Sequence, residues 1–250
     1  MSPWERYVAL HLCAAAVLIV CGAPPAQAGW LSDTVSRATK AATASDGTPG
    51  DAQVASGLKE ALKIGVEHAV QSGSRPNGYF ANPAIKILMP EQLRGLEAGL
   101  RKVGLGSQVD QFTLSMNRAA EQAAPYAKDI FLEALLGMNF EDARQILQGG
   151  ETAATDYFKR TTRTRLESVF LPIVKDKMAQ HAVAGKYDQM VAAYKALPFA
   201  GKPTLISIDQ YVVNKALDGL FQLVSEQEKS IRTNPQARVT DLLKRVFTSP

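Results

Sequence analysis

Asn117, Arg118 and Glu121 make the densest polar group of the chain inside an otherwise apolar stretch, Ser115-Met-Asn-Arg-Ala-Ala-Glu121. At helical spacing Asn117 and Glu121 share a face, and Arg118 reaches Glu121 three residues on. Two chemistries fit. Glu121 could act as a general acid or base oriented by its neighbours, which requires a carboxyl lifted toward neutrality by its surroundings. The plainer reading, which the residue types favour, is an ion pair and an amide that fix the register of a helix.

Asp156 stands in Thr152-Ala-Ala-Thr-Asp-Tyr-Phe158, behind Gly149-Gly150. Backbone amides at such a helix start could hold an anion, but Thr152 as cap and Asp156 as first-turn acid account for the same residues. Lys215 and Asp218 lie three apart on the most apolar segment and are expected in or beside the core, either as partners or with Asp218 paired to another base. The functional alternative there is a desolvated lysine nucleophile. Lys159, Arg160, Arg163 and Arg165 crowd four positive charges together. They would offset the negative end of a helix dipole or meet phospholipid headgroups. Weak binding candidates are therefore Asn117, Arg118, Arg160, Arg163 and Arg165; weak catalytic candidates are Glu121, Asp156 and Asp218. His68 and His181 are far apart with no paired-ligand spacing around them, so no metal and no cofactor is expected. Neither a phosphate-binding loop nor a nucleophile elbow is present in the sequence.

These residues need a scaffold, and composition bounds it. Of 250 residues 46% are hydrophobic and 21% charged, with 18 glycines and 13 prolines, which excludes collagen-like, low-complexity and wholly disordered chains. A net charge of +4 demands no nucleic acid. The first residues read as an export signal: Arg6, then an apolar run over 8–20 broken by His11, then Pro24-Pro25 and the small-residue site Ala26-Gln27-Ala28. That run falls short of the ~20 apolar residues of a membrane span. Cleavage after Ala28 would place the protein in the periplasm and remove both cysteines, Cys13 and Cys21. A lipoprotein anchored at Cys21 is less favoured, because β-branched Val20 stands where lipid attachment wants a small residue. The expected organisation is a signal peptide over 1–28, a short helix with a flexible linker over 29–50, and one all-α domain over 51–250.

Within that domain, Val54, Leu58, Leu62 and Val66 recur at four-residue steps. Asn139 with Asp142 three residues on should open a short helix, and capping boxes are expected at Thr164 with Glu167 and Ser207 with Gln210. Pro172 should kink the helix it falls in. A helix over about 208–230 is apolar on more than one face and should be buried by its neighbours. A last stripe of Val239, Leu242, Leu243, Val246 and Phe247 is expected to dock on the core. The pattern predicts an all-α, single-domain bundle of about nine helices. Residues 84–89, bracketed by Pro83 and Pro90, are strand-like, and with residues 204–207 they could form one minor two-stranded ribbon.

Several strings coincide in order with a known family: Leu58-Lys-Glu-Ala-Leu-Lys-Ile-Gly-Val-Glu67, Asn82-Pro-Ala-Ile-Lys-Ile87, Ser115 to Pro125, Thr152 to Phe158, Lys215-Ala-Leu-Asp-Gly-Leu220 and Thr240 to Phe247. Over about 54–247 the chain resembles the bacterial domain-of-unknown-function family 4197. That resemblance implies an exported protein of the Gram-negative envelope and brings no activity, cofactor or catalytic residue. The expected function is a periplasmic all-α binding or scaffold protein. The alternative is a carboxylate-dependent, hydrolase-like envelope enzyme using Glu121 with Asp156 or Asp218. A third reading is a protein of the membrane surface, held by Trp30, Leu31 and the basic run. The partner would be an envelope protein or an anionic lipid surface; nucleic acid is not expected.

Overall fold

Apolar residues at helical spacing build a bundle around a long, centrally placed helix, Ile208–Thr233. The computed structural model describes residues 51–198 and 206–233, which lie within one compact unit, Pro49–Pro250. Helix α1 (Asp51–Ser74) buries Leu58, Leu62, Val66, Ala69 and Val70. A non-helical stretch follows, then a 3-10 turn at Glu91–Leu93 and α2 (Arg94–Lys102). Helix α3 (Gly106–Ala123) is interrupted at Pro125 by a short 3-10 turn, Ala124–Tyr126, before α4 (Ala127–Gly137). Next come α5 (Phe140–Gln148), α6 (Ala153–Gln180), α7 (Val183–Lys195) and α8 (Ile208–Thr233).

The last of these sets the layout. Val212, Val213, Ala216, Leu217, Leu220 and Phe221 cover more than one face of α8, and it packs along both α6 and α1. Phe131 of α4 meets Phe158 of α6 and Phe221 of α8 edge to face, with ring centroids 5.4 and 5.8 Å apart. The capping box at α5 forms in both directions: Asp142 N donates to Asn139 Oδ1 at 2.8 Å and Asn139 N to Asp142 Oδ2 at 3.1 Å. At α8, Gln210 N reaches Ser207 Oγ at 3.4 Å, and Ile206 and Tyr211 pack on the core beside it.

The all-α class stands, but two details differ from expectation. Fewer than nine helices occur among the described residues: the segments on either side of Thr164 form one continuous helix, and the helix expected to carry Val239 to Phe247 lies outside the described residues. Phe158, Thr162, Leu166, Phe170, Val174 and Met178 make an unbroken buried face across Thr164 and Pro172. Burying three or four large apolar side chains outweighs a cap of about 1 kcal/mol and the backbone bond that proline forfeits. The two-stranded ribbon is also not matched: no strand occurs among the described residues. Residues 86–90 form no regular element, and the backbone of Ile87 is paired with a side chain of α3 rather than with another strand. Of the proposed partner, Thr204 and Leu205 lie outside the described residues, and Ile206 and Ser207 precede α8 without pairing. The signal segment, the segment carrying Trp30 and Leu31, and the stripe ending at Phe247 also lie outside the described residues.

Tyr79 locks the non-helical stretch to α8. Its ring is fully buried, and its hydroxyl donates to the carbonyl of Ala216 at 2.6 Å. Burial, with the charges of Glu121 and Asp218 adding to it, pushes the phenol far above its ordinary range, so it stays a neutral donor. The ring lies flat against Gly219, where an added Cβ would come within 2.6 Å of it and 3.2 Å of Ile85 Cβ. Neither neighbour has room to move. Gly219→Ala should therefore destabilise the fold by about 2 kcal/mol, read as a lowered urea midpoint with unchanged slope. An unchanged midpoint would show that the Tyr79 ring is not clamped.

Candidate functional site

The polar group on α3 turns inward and grips the non-helical stretch. Asn117 is fully buried. Its Nδ2 donates to the carbonyls of Ile87 and Thr113, both at 2.8 Å, and its Oδ1 accepts from Ile87 N at 2.9 Å. One amide side chain thus satisfies both backbone groups of Ile87, as a neighbouring strand would. Glu121 is 3% exposed. Its Oε1 accepts from the backbone amides of Tyr79 at 3.2 Å and Phe80 at 3.1 Å, and its Oε2 accepts from Arg118 Nη1 at 2.5 Å. The other arm of Arg118 donates to Asn77 Oδ1 at 2.7 Å. Asn77 has φ 66°, a left-handed conformation that asparagine tolerates better than most residues. Beside it, a Cβ on Gly78 would come within 2.3 Å of the Ser72 carbonyl, so only glycine fits.

A matching carboxylate, which the sequence did not flag, caps α6 from α8. Glu228, 3% exposed, takes Ala154 N on Oε1 at 2.9 Å and Thr155 N on Oε2 at 2.8 Å. Thr155 Oγ1 also donates to Oε2 at 2.8 Å. Arg232, four residues on, donates to Glu228 Oε1 at 2.9 Å and to the carbonyl of Ile146 at 2.8 Å. This corrects the expected cap: Thr152 makes no side-chain bond to the helix amides, and its hydroxyl meets Asp156 Oδ2 at 3.3 Å instead. A charged acceptor at the positive end of a helix outcompetes a neutral hydroxyl. The spacing of Glu228 and Arg232 signals an ion pair, but only the packing of α8 on α6 brings that pair to a helix start.

The remaining candidates lie apart. Glu121 is enclosed between α3 and the turn at 77–80, whereas Asp156 is exposed in the first turn of α6. Asp218 is exposed on α8 and held by Arg163 Nη1 at 2.9 Å. Lys215 is exposed as well, against the expectation of a place in or beside the core. Val212, Val213, Ala216, Leu217 and Leu220 take the buried faces of α8 and leave positions 215 and 218 on the outer one. Arg163 also bonds Glu167 at 3.0 Å, Arg165 pairs with Glu133, and Arg160 lies over the Tyr157 ring at 5.7 Å. The basic run sits in the middle of α6, not at a helix end, because the helix continues to Gln180. Its charges therefore do not offset a dipole.

His68 is exposed on α1, and His181 caps the end of α6. Desolvation, helped by the charges of Lys186, Arg118 and Lys177, holds the His181 imidazole below its ordinary pKa. Lys186 Nζ donates to Ser115 Oγ at 2.8 Å, but that hydroxyl gives its own proton to the Gln111 carbonyl, also at 2.8 Å, and the serine is buried. This is a packed polar contact and not an activated nucleophile. Among the described residues no three histidine, cysteine or acidic side chains group as a metal site would require.

Concave surface flanks the irregular stretch that follows Ile85. Leu88 is 60% exposed between two clefts of about 590 and 540 Å³. Lys86, Met89 and Arg94 line both. Asp218 and Lys215 line the larger, and Phe80 and Asp110 line the smaller. Both volumes are in the ordinary range for ligand sites. Sequence reasoning passed over Leu88, whose one signal is an apolar residue that breaks the inward alternation of Ile85, Ile87 and Met89.

The Glu121 clamp yields a direct test. Three donors converge on its two oxygens, so Glu121→Gln must turn an amide –NH₂ toward either Arg118 or the backbone amides. That change should cost about 2 kcal/mol, since either the partly buried guanidinium or the backbone amides of Tyr79 and Phe80 lose their acceptor. Arg118→Met should be destabilising too, and the double variant should recover about 1–2 kcal/mol relative to additivity in thermal melts. Additive losses, or a stabilised Glu121→Gln, would mean that the carboxylate is held for chemistry and not for the fold.

Residues 48–248 match the family model described as Protein of unknown function (DUF4197). No curated protein and no solved structure matches the chain. The match takes in α1 to α8 together with the Asn117–Glu121 clamp and the Glu228 cap, and the chain belongs to the DUF4197 family.

Proposed function

We propose that this chain is an exported, periplasmic helical protein that binds or scaffolds a partner and does not catalyse a reaction. The observation that carries the reading is the state of Glu121, the best-placed acid of the sequence. Both of its oxygens are occupied, one by two backbone amides and the other by a guanidinium. A general acid or base needs an oxygen free to meet substrate, in surroundings that disfavour its charge. Asp218 is exposed, with one oxygen held by Arg163 Nη1, and Asp156 lies exposed at a helix start. The polar chemistry that stood out in the sequence thus supports the fold, and exposed Leu88 with its two clefts offers a surface for recognition.

Export is read by intact-mass analysis of envelope extract, where the chain should begin at Gly29. A mass that keeps Cys21 with acyl chains would make this a lipoprotein instead. Binding without turnover is read by native mass spectrometry of protein released from the periplasm. A retained partner should persist in unchanged chemical form on incubation. A bound species converted to product would establish the enzyme reading.

A further inference from the structure

We propose that Asn77 is a modification site of this chain: it deamidates through the Gly78 nitrogen, slowly while the Arg118–Glu121 clamp holds the turn, and its isoaspartyl product unlatches the non-helical stretch. The inference goes beyond the binding reading above and does not depend on it. Six asparagines occur in the chain, and only Asn77 is followed by glycine. That neighbour matters because the attacking nitrogen belongs to the next residue, and glycine carries no side chain to hinder its approach. Asn77 is exposed, so water reaches it.

The reaction balances without a cofactor. The Gly78 nitrogen gives up its proton and bonds to Asn77 Cγ. The Cγ–Nδ2 bond breaks, and the side-chain nitrogen takes up a proton and leaves as ammonia. One water then opens the succinimide ring. Opening at one carbonyl gives aspartate; opening at the other gives isoaspartate, whose main chain is longer by one methylene.

The fold opposes ring closure at three points. Gly78 N donates to the Arg75 carbonyl at 2.8 Å, Asn77 Oδ1 accepts from Arg118 Nη2 at 2.7 Å, and Glu121 Oε1 holds the amides of Tyr79 and Phe80 just beyond. To bring the nitrogen onto Cγ, the Asn77 side chain must leave Arg118 and the peptide between residues 77 and 78 must turn away from Arg75. Arg118 also holds Glu121 Oε2, so this motion disturbs the whole clamp. The reaction therefore runs from a locally opened state, and its rate follows how often the clamp opens. The isoaspartyl product does not fit the closed turn. A single carbon added at Gly78 already meets the Ser72 carbonyl at 2.3 Å and the Gly73 carbonyl at 2.7 Å, so a lengthened main chain has no slack there.

The test is peptide mapping by mass spectrometry after the full chain is incubated in mildly alkaline buffer. Conversion at Asn77 should run about tenfold or more slowly than in a synthetic peptide of residues 74–80. Arg118→Met should convert about tenfold or more faster than the parent. Arg232→Met, which breaks the corresponding pair with Glu228 at the other end of α8, should keep the parent rate and so separates local release from general loss of stability. The isoaspartyl chain, resolved by ion exchange, should melt below the unmodified chain. The proposal is overturned if the parent converts as fast as the peptide, or if Arg232→Met speeds Asn77 as much as Arg118→Met does. It is also overturned if Arg118→Met is no faster than the parent. A slower Arg118→Met would mean that the guanidinium promotes attack by steadying the oxyanion on Oδ1. An isoaspartyl chain that melts as the parent does would overturn the unlatching.

Discussion

A non-helical stretch must cross the packed face of α3, and its backbone amides and carbonyls must find partners there. Helices cannot lend theirs, because their own ladders use them, and an unpaired buried backbone group costs about as much as a lost hydrogen bond. Side chains of α3 meet the demand. Asn117 takes both groups of Ile87, and Glu121 takes the amides of Tyr79 and Phe80. Once the stretch is held in this way, Tyr79 is carried across to α8, where its hydroxyl reaches the Ala216 carbonyl and its ring fills the space over Gly219. The position of α8 relative to α1 and α3 thus depends on a carboxylate and an amide one helical turn apart.

The same solution recurs at the other end of α8. Glu228 gathers two amides of α6, and Arg232 both neutralises it and reaches the Ile146 carbonyl at the end of α5. Each site couples a buried carboxylate, a pair of backbone donors and an arginine within a turn of it on the same helix. The pairing is what makes burial tolerable, since a lone carboxylate out of water would protonate or destabilise the fold. With both acids saturated, the interior is specified as much by these polar connections as by its aromatic contacts.

Much of this was legible in the sequence. Four-residue apolar steps mark α1, Asn139 with Asp142 three residues on marks the start of α5, and the many-sided apolar pattern of residues 208–230 foretells a buried α8. Those signals are local, or follow from the helical period, and tertiary context leaves them intact. Asn117, Arg118 and Glu121 stood out as a polar group in an apolar helix, and their i, i+3 and i, i+4 spacing foretold the ion pair. Other local signals were overridden. The Thr164 box lies inside a continuous helix because the core beneath it extends from Phe158 to Met178. Thr152 yields its capping role to a charged residue far along the chain. Lys215 faces solvent because the most apolar helix still has an outer strip.

The sequence by itself determined the helical class, the helix-forming segments and the identity of the polar side chains that would have to be paired on burial. It could do so because periodicity, caps and residue type are properties of neighbours in the chain. Only the tertiary structure decided what those side chains hold. Glu121 meets amides some forty residues earlier in the chain, and Glu228 meets amides more than seventy residues away. The strand-like run 84–89 likewise finds an asparagine side chain where a strand was expected. No local pattern encodes such pairings, because they are set by which helix faces come together when the apolar surfaces are buried.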